Sequence, residues 1–452
     1  MKFKKNDTCK ISIVDIGKDG EGIGKIDGFT FFVPNALPEE VVSIKILKLK
    51  KNYGYGKVLE VVKPSPMRAL PLCDVFYKCG GCNIMHMDYK SQLFYKEKKT
   101  KDSLERIGGF SDVSEKIMPI IGMKEPFFYR NKVSIPIREE NGRIKAGFFA
   151  LNSHRIVEAD ECKIQPKISK NIVDVIIAYM RENNIKAYNE EKNSGVVRHV
   201  LIKYGFKTGE IMVCIVVNLT DGKKFENEEG LVSELLKIDG IKSISLNYNS
   251  QKTNVILGKF IRNVYGVAYI KDYIGDILFN ISPLSFYQVN PVQTKALYDT
   301  VLDFCEFKGD ETVVDAYCGI GSISLYIAKH VKKVIGIEIV EDAVKDAKIN
   351  AKNNNISNAE FLLGAAEEIM QKFVEKPDII IVDPPRKGCD IRLLESILES
   401  GVKKMVYVSC NPDTLARDLK ILCENKYKIA KIQPVDMFPH SFHVENVVLL
   451  ER

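Results

Sequence analysis

Cys410 stands in the run Val408-Ser409-Cys410-Asn411-Pro412-Asp413, where Asn411 reads as a helix N-cap and Pro412 as the first helical residue. A cysteine just before a helix meets exposed N–H groups and the positive end of the dipole, which favour its thiolate. Arg417, one turn further on, is expected to assist. A lone cysteine is more often a buried core residue, but this one ends the strand-like run Lys404-Met405-Val406-Tyr407-Val408. A nucleophilic thiolate has a definite use against a pyrimidine. Carbon 5 is a poor nucleophile, and thiolate addition to carbon 6 makes an enolate that concentrates electron density on carbon 5. Methylating an amine needs no such cysteine, so the residue points to methylation of carbon. Cys318 and Cys389 are the nearest alternative thiols in sequence.

Such a reaction needs a base to remove the carbon 5 proton before the thiolate can leave. Phe438-Pro439-His440-Ser441-Phe442-His443-Val444-Glu445 offers three. Either histidine has a convenient unperturbed pKa, whereas Glu445 would have to be raised by burial. The residues alone do not choose among them. A further carboxylate, Asp383, follows the apolar run 378–382 and opens Asp383-Pro384-Pro385-Arg386-Lys387-Gly388. Two prolines cannot continue a strand ladder or start an ordinary helix turn, so a rigid loop is expected, with Arg386 as a substrate contact. A carboxylate there accepts a hydrogen bond from N3–H of uracil. Unprotonated cytosine lacks that hydrogen, so uracil is favoured.

A second cluster suits a methyl donor. Asp315-Ala316-Tyr317-Cys318-Gly319-Ile320-Gly321 closes a strand with glycines that let the backbone approach a nucleotide-like ligand at the sheet's carboxyl edge. The next strand ends at Glu338, placed to accept hydrogen bonds from ribose hydroxyls. Neither a full Gly-x-Gly-x-x-Gly nor a Gly-Lys-Ser/Thr phosphate loop is present. An acidic residue, Gly-x-Gly and a second-strand carboxylate without a phosphate cradle suit the uncharged adenosine of S-adenosylmethionine. The alternative is a glycine turn that serves packing only.

Cys73, Cys79, Cys82 and Cys162 form a third set, with Gly80-Gly81 between the middle pair. Four thiolates suit tetrahedral zinc or a 4Fe–4S cluster. Only one pair has the Cys-x-x-Cys spacing of a zinc ribbon, and a fourth ligand would close a cluster, so a structural role is expected. Cys9, Cys214, Cys305 and Cys423 lie among apolar neighbours and receive no role.

Three regions must position these residues. Residues 1–64 alternate in short strands, as in Cys9-Lys10-Ile11-Ser12-Ile13 and Val41-Val42-Ser43-Ile44-Lys45-Ile46, with glycine and proline turns between. A five-stranded barrel of oligonucleotide-binding type is expected. Pro64-Ser65-Pro66 reads as a linker. Residues 65–283 read as mixed α+β, with a polar helix from Asp88 to Arg106 and strands such as 132–137 and 211–217. From 284 to 452 strands and helices alternate, which predicts an α/β, doubly wound, Rossmann-like sheet covered on both faces.

The chain of 452 residues carries 66 basic and 59 acidic groups, a mild net charge of +7. Lys45, Lys48, Lys50 and Lys51 crowd one segment of the barrel, either as a solvated strand face or as a phosphate-binding strip. No apolar run approaches the ~20 residues of a membrane span, and no apolar stretch follows the basic start. A cytoplasmic protein with no membrane association is expected, in which cysteines stay reduced. Structured RNA is the expected partner, with no obligate protein partner and a monomeric state.

Asp-Pro-Pro-Arg-Lys-Gly at 383–388, Val-Ser-Cys-Asn-Pro-Asp-Thr-Leu-Ala-Arg-Asp at 408–418 and Phe-Pro-His-Ser-Phe-His-Val-Glu at 438–445 resemble the RNA 5-methyluridine methyltransferases. Within that family they are most similar to the bacterial ribosomal-RNA branch. Gly20 to Glu39 resembles the TRAM domain of RNA-modifying enzymes. The resemblance implies Cys410 as nucleophile, Glu445 as base and Asp383 as a contact to uracil and cofactor. In Ser285-Phe286-Tyr287-Gln288-Val289-Asn290 it implies that Phe286 stacks on the target base and Gln288 touches the cofactor. It favours the iron–sulfur cluster over zinc, and it implies that the helix after Asp88 packs on the catalytic domain. The substrate implied is 23S ribosomal RNA. A transfer-RNA uridine, an RNA cytosine enzyme and a non-catalytic RNA-binding protein are the competing readings.

Overall fold

The computed structural model describes every residue except 1, 2, 372, 374 and 375. Along β1 (Thr8–Ile16), Ile11 and Ile13 point inward while Lys10 and Ser12 face solvent, the period of a half-buried strand. It joins β2 (Gly22–Ile26), β3 (Phe29–Val33), β4 (Val41–Leu49) and β5 (Tyr53–Lys63) in a closed barrel of order β1-β2-β3-β5-β4. Phe31, Val33, Val42, Ile44 and Ile46 fill it. The proline segment after β5 is no loose tether. Arg68 reaches back to the buried Glu40 of the barrel at 2.5 Å, and the Ser65 amide donates to the same carboxylate.

Helix α1 (Tyr89–Ser103) is capped by the Asp88 side chain and runs on into a π-turn over Leu104–Gly108. Its buried residues are Gln92, Lys96, Thr100 and Ser103, a polar stripe at helical spacing. A polar stripe stays buried only where every group finds a partner. Here the partners come from the far end of the chain. Lys96 pairs with Asp436, Thr100 donates to Asn446 and Ser103 donates to Asp413. The helix therefore lies on the C-terminal sheet, as the resemblance implies.

The central region contains β6 (Lys132–Glu140), β7 (Arg143–Ala146), β8 (Phe148–Phe149), β9 (Ile156–Val157), α2 (Ile168–Glu182), β10 (Val197–Tyr204), β11 (Ile211–Val217), α3 (Glu228–Leu235), β12 (Ile241–Tyr248) and β13 (Phe260–Gly266). Six of these strands form a sheet of order β13-β12-β11-β10-β6-β7. The apolar faces of α2 and α3 cover it through Ile172, Ile176, Leu231 and Leu235. The hairpin β14 (Ile270–Ile274) and β15 (Ile277–Ile281) packs into the core of the C-terminal sheet instead.

That sheet follows α4 (Pro291–Cys305). In chain order its elements are β16 (Thr312–Ala316), α5 (Ser322–Ile327), β17 (Lys333–Glu338), α6 (Glu341–Asn353), β18 (Ala359–Leu363), α7 (Ala366–Met370), β19 (Ile379–Val382), α8 (Ile391–Ser400), β20 (Lys404–Ser409), α9 (Pro412–Asn425), β21 (Lys428–Val435) and β22 (Glu445–Glu451). The order is β18-β17-β16-β19-β20-β22-β21. The first five strands are parallel, as the alternation predicts. The last two strands are antiparallel additions that the helix–strand alternation did not announce. Among the described residues no helix is long and apolar enough to cross a membrane.

Candidate active site

The antiparallel addition brings Cys410, Glu445 and Asp383 together. β22 pairs with β20 so that Ser409 opposes Asn446, and Cys410 and Glu445 are the residues next to that last pair along the chain. β19 lies on the other side of β20 and ends immediately before Asp383. Asn411 caps α9 as predicted, its side chain accepting from the Asp413 amide. The same side chain, together with Thr414, donates to the Arg386 carbonyl, so the Pro-Pro loop is tied to the cysteine turn. Asp418 holds the loop's other end, accepting from the Cys389 amide at 2.8 Å and from the Tyr407 hydroxyl at 2.6 Å. Gly388 sits at φ +80, and a Cβ there would strike Arg417 and Asp418.

Burial dominates the electrostatics of this crevice. It pushes Glu445 up to about 8, aided by the charge of Asp383 and opposed by Arg386. Asp383 is raised to about 7 by burial and by Asp315. The Cys410 thiol is pushed up to about 12 by burial and then by Glu445 and Asp383, while Arg386 favours the thiolate. This corrects the expectation that helix end and Arg417 lower the thiol. Arg417 is committed to Asp418 and to the Lys387 carbonyl. Arg386 is the cation that acts on Cys410.

The two histidines differ from Glu445 in kind. His440 is buried at φ +67, stacks on Phe127 at 4.6 Å and shares contacts with Gln92. Its carbonyl accepts from the Asn83 and Ile84 amides, so it acts as a corner of the loop. Burial lowers it to about 4, and His443 falls to about 4 through burial and then Arg386. Cys318 and Cys389 are buried in the sheet's core.

At the other end of the edge, Glu338 accepts from the Gly319 amide at 3.0 Å and the Val340 amide at 2.8 Å. Asp315 is buried and takes one bond from Ser324, but its Oδ1 has no partner. Burial raises it to about 7. Gly319 and Gly321 adopt positive φ, and a Cβ on Gly319 would meet open space. An orphaned buried carboxylate oxygen beside an open glycine turn fits a ligand that carries an amine. Phe286 is no core aromatic: it is 68% exposed, on a loop held by Lys203, which donates to the Ser282 and Ser285 carbonyls. The carbonyl of neighbouring Gln288 is held by Asn131.

Family models match the chain over most of its length: tRNA (Uracil-5-)-methyltransferase over residues 123–452 and the TRAM domain over 2–59. The chain belongs to the uracil-5 methyltransferase family. It is 45% identical to an uncharacterized RNA methyltransferase of Clostridium tetani, across 100% of this chain and 97% of the relative. One from Halalkalibacterium halodurans is 47% identical across 99% and 97%. The crystal structure of the Pyrococcus abyssi tRNA (uracil-54, C5)-methyltransferase in complex with S-adenosyl-L-homocysteine superposes with a TM-score of 0.79 at 29% identity, covering 98% of this chain and all of that one. The protein is thus an RNA uracil-5 methyltransferase, which removes the cytosine and non-catalytic readings.

In this uracil-5 methyltransferase Cys73, Cys79, Cys82 and Cys162 line one small cavity with Phe76, Met85 and Ile164. The Gly81 amide donates to the Cys79 sulfur. Among the described residues no group of three or more His, Cys, Asp or Glu side chains is arranged as ligands of a metal ion. The sulfurs share a cavity wall without the converging geometry that the sequence reading expects. The barrel lysines Lys48, Lys50 and Lys51 are exposed and Lys45 half-buried. Sequence reasoning missed Lys96, Asp418, Asp436 and Lys203. Within Lys96-Glu97-Lys98-Lys99 nothing but helical phase separates the buried lysine from its neighbours.

Proposed function

We propose that this enzyme methylates carbon 5 of a uridine in structured ribosomal RNA in the cytoplasm, as a monomer, with S-adenosylmethionine as donor. The observation that carries the reading is the meeting of Cys410, Glu445, Asp383 and Arg386 in one crevice, the first two flanking the Ser409–Asn446 pair of the sheet. Asp315, Gly319, Gly321 and Glu338, with Gln288 and Asp383, would hold the donor, the unpartnered Asp315 oxygen taking its amine. When bound, the donor supplies an electrophilic methyl group on a sulfonium. Phe286, exposed on its loop, stacks on the target base. Asp383 accepts the N3–H of the uracil and Arg386 contacts the substrate. Cys410 adds as thiolate to carbon 6, and the electron pair moves onto carbon 5. Once carbon 5 carries the methyl group, Glu445 removes its proton, the double bond re-forms and the thiolate leaves. A carboxyl group raised to about 8 matches that task at neutral pH.

The barrel at 1–64 delivers the RNA through phosphate contacts of Lys45, Lys48, Lys50 and Lys51. The central region at 65–283 includes the cavity that Cys73, Cys79, Cys82 and Cys162 line among apolar side chains, and those four thiols suit a 4Fe–4S cluster, with zinc as the alternative. Residues 284–452 form the methyltransferase domain, whose core the hairpin at 270–281 completes. A second reading takes transfer RNA as substrate, favoured by the full-length likeness to the Pyrococcus abyssi enzyme. Mapping 5-methyluridine in ribosomal and transfer RNA with and without the gene tests both. Loss from ribosomal RNA supports the first reading, and loss from transfer RNA alone replaces it with the second.

A further inference from the structure

The segment that leads into Glu445 meets two distant parts of the chain at one point. The Asn83 side chain uses both ends of its amide there. Its Oδ1 accepts from the Phe442 amide at 2.9 Å, and its Nδ2 donates to the Asp19 carbonyl in the turn between β1 and β2. Lys99 of α1 makes the same bridge, donating to the Lys18 and Phe442 carbonyls, each at 2.9 Å, with its ammonium 4.7 Å from the centre of the Phe442 ring. Gly20 closes the junction. At φ +87 it needs a glycine, and a Cβ there would meet Ile84 at 2.9 Å, Phe442 at 3.2 Å and Asn83 at 3.3 Å. Phe442 lies three residues before Glu445.

We propose that Asn83 and Lys99 are positioning residues that lock the Glu445 segment to the barrel's β1–β2 turn, setting the geometry of proton removal. Neither touches the reacting atoms. Both hold the backbone three residues upstream, where a small displacement of the carboxyl lengthens its reach to carbon 5. The barrel is then part of the catalytic frame as well as an RNA holder. The inference rests on the reading of Glu445 as base.

Single-turnover kinetics on substrate RNA separate this role from RNA binding. Asn83→Ala should slow decay of the methylated covalent adduct by about tenfold or more. Adduct formation and RNA affinity should stay within about twofold, so kcat and KM fall together while kcat/KM holds. Asn83→Asp keeps the acceptor for the Phe442 amide and should recover part of the rate. Lys99→Met leaves the cysteine segment untouched and should reproduce the slow decay, which decides the matter if Asn83→Ala does not fold. Unchanged adduct decay in a folded variant, or a loss confined to RNA affinity, overturns the inference alone. Wild-type enzyme that forms neither adduct nor 5-methyluridine overturns the functional reading and this inference with it.

Discussion

Ser409 and Asn446 are the last register partners across β20 and β22, and Cys410 and Glu445 are their immediate chain neighbours. The antiparallel ladder fixes that last pair, so a thiol and a carboxyl far apart in sequence lie at one point of the sheet edge, with Cys410 on the turn just beyond β20. The thiol is raised chiefly by burial and by Glu445, while burial and Asp383 raise Glu445 itself. The crevice therefore rests uncharged more readily than its composition suggests.

The rate of proton removal should follow Glu445. Adduct decay is expected to rise about tenfold per pH unit and level off near pH 8, because only the carboxylate accepts the proton. In the adduct the Cys410 sulfur is bonded to carbon 6 as a thioether and does not titrate, so the plateau stays flat. Stopped decay across pH 6–9 checks it, about six points sufficing for the slope. A rate already flat across pH 6–9 would contradict a Glu445 raised to about 8 as the group that limits this step.

Stability of the ligand-free enzyme should fall as pH rises from about 5 to 8.5. Asp315, Asp383 and Glu445 all have folded-state values raised above the ordinary carboxyl range. The folded state thus keeps protons that the unfolded chain releases. Their contribution is complete below the unfolded value and is lost as pH climbs through about 7 to 8. Glu445→Gln should raise the melting temperature at pH 8.5 and leave it unchanged at pH 4. An equal gain at both pH values would contradict the linkage.

Replacing Lys45, Lys48, Lys50 and Lys51 together by Gln should weaken RNA binding. It should also reduce the slope of log affinity against log salt by about 0.7–0.9 for each phosphate that is no longer neutralised. Donor affinity should not change. An unaltered slope would make the lysines a solvated strand face.

Protein purified without oxygen should be brown if the four-cysteine cavity holds the cluster, and Cys79→Ser should cost folding or RNA binding more than chemistry. Colourless protein with stoichiometric zinc would replace the cluster with the alternative metal.

Much of this site is legible in the sequence because its signals are local. Asn411-Pro412 announces a helix start, Gly319 and Gly321 announce a turn with positive φ, and the 3.6-to-2 alternation announces the parallel sheet. Other features are not local. The Cys410 thiol is raised by burial and then by Glu445 and Asp383, which approach it only through the sheet, so a helix-end argument captures one contribution and not the net direction. Arg417 lies one turn from Cys410 yet binds Asp418, whereas Arg386, from another loop, acts on the thiol. Lys96 belongs to a lysine-rich helix, and its buried partner Asp436 lies more than three hundred residues on. Whether His440 or Glu445 is the base turns on burial and stacking, which no spacing records.

The most direct test of the account is intact-mass analysis of Glu445→Gln incubated with substrate RNA and S-adenosylmethionine. Cys410 and the donor site are intact in this variant, so addition and methylation should proceed and elimination should stall. The account predicts a covalent protein–RNA species that carries the extra methyl group, linked through Cys410 and absent from the Cys410→Ser, Glu445→Gln double variant. Overall turnover should fall by roughly 10²–10⁴-fold. Normal turnover with no adduct, or an adduct that survives removal of the Cys410 sulfur, would contradict it.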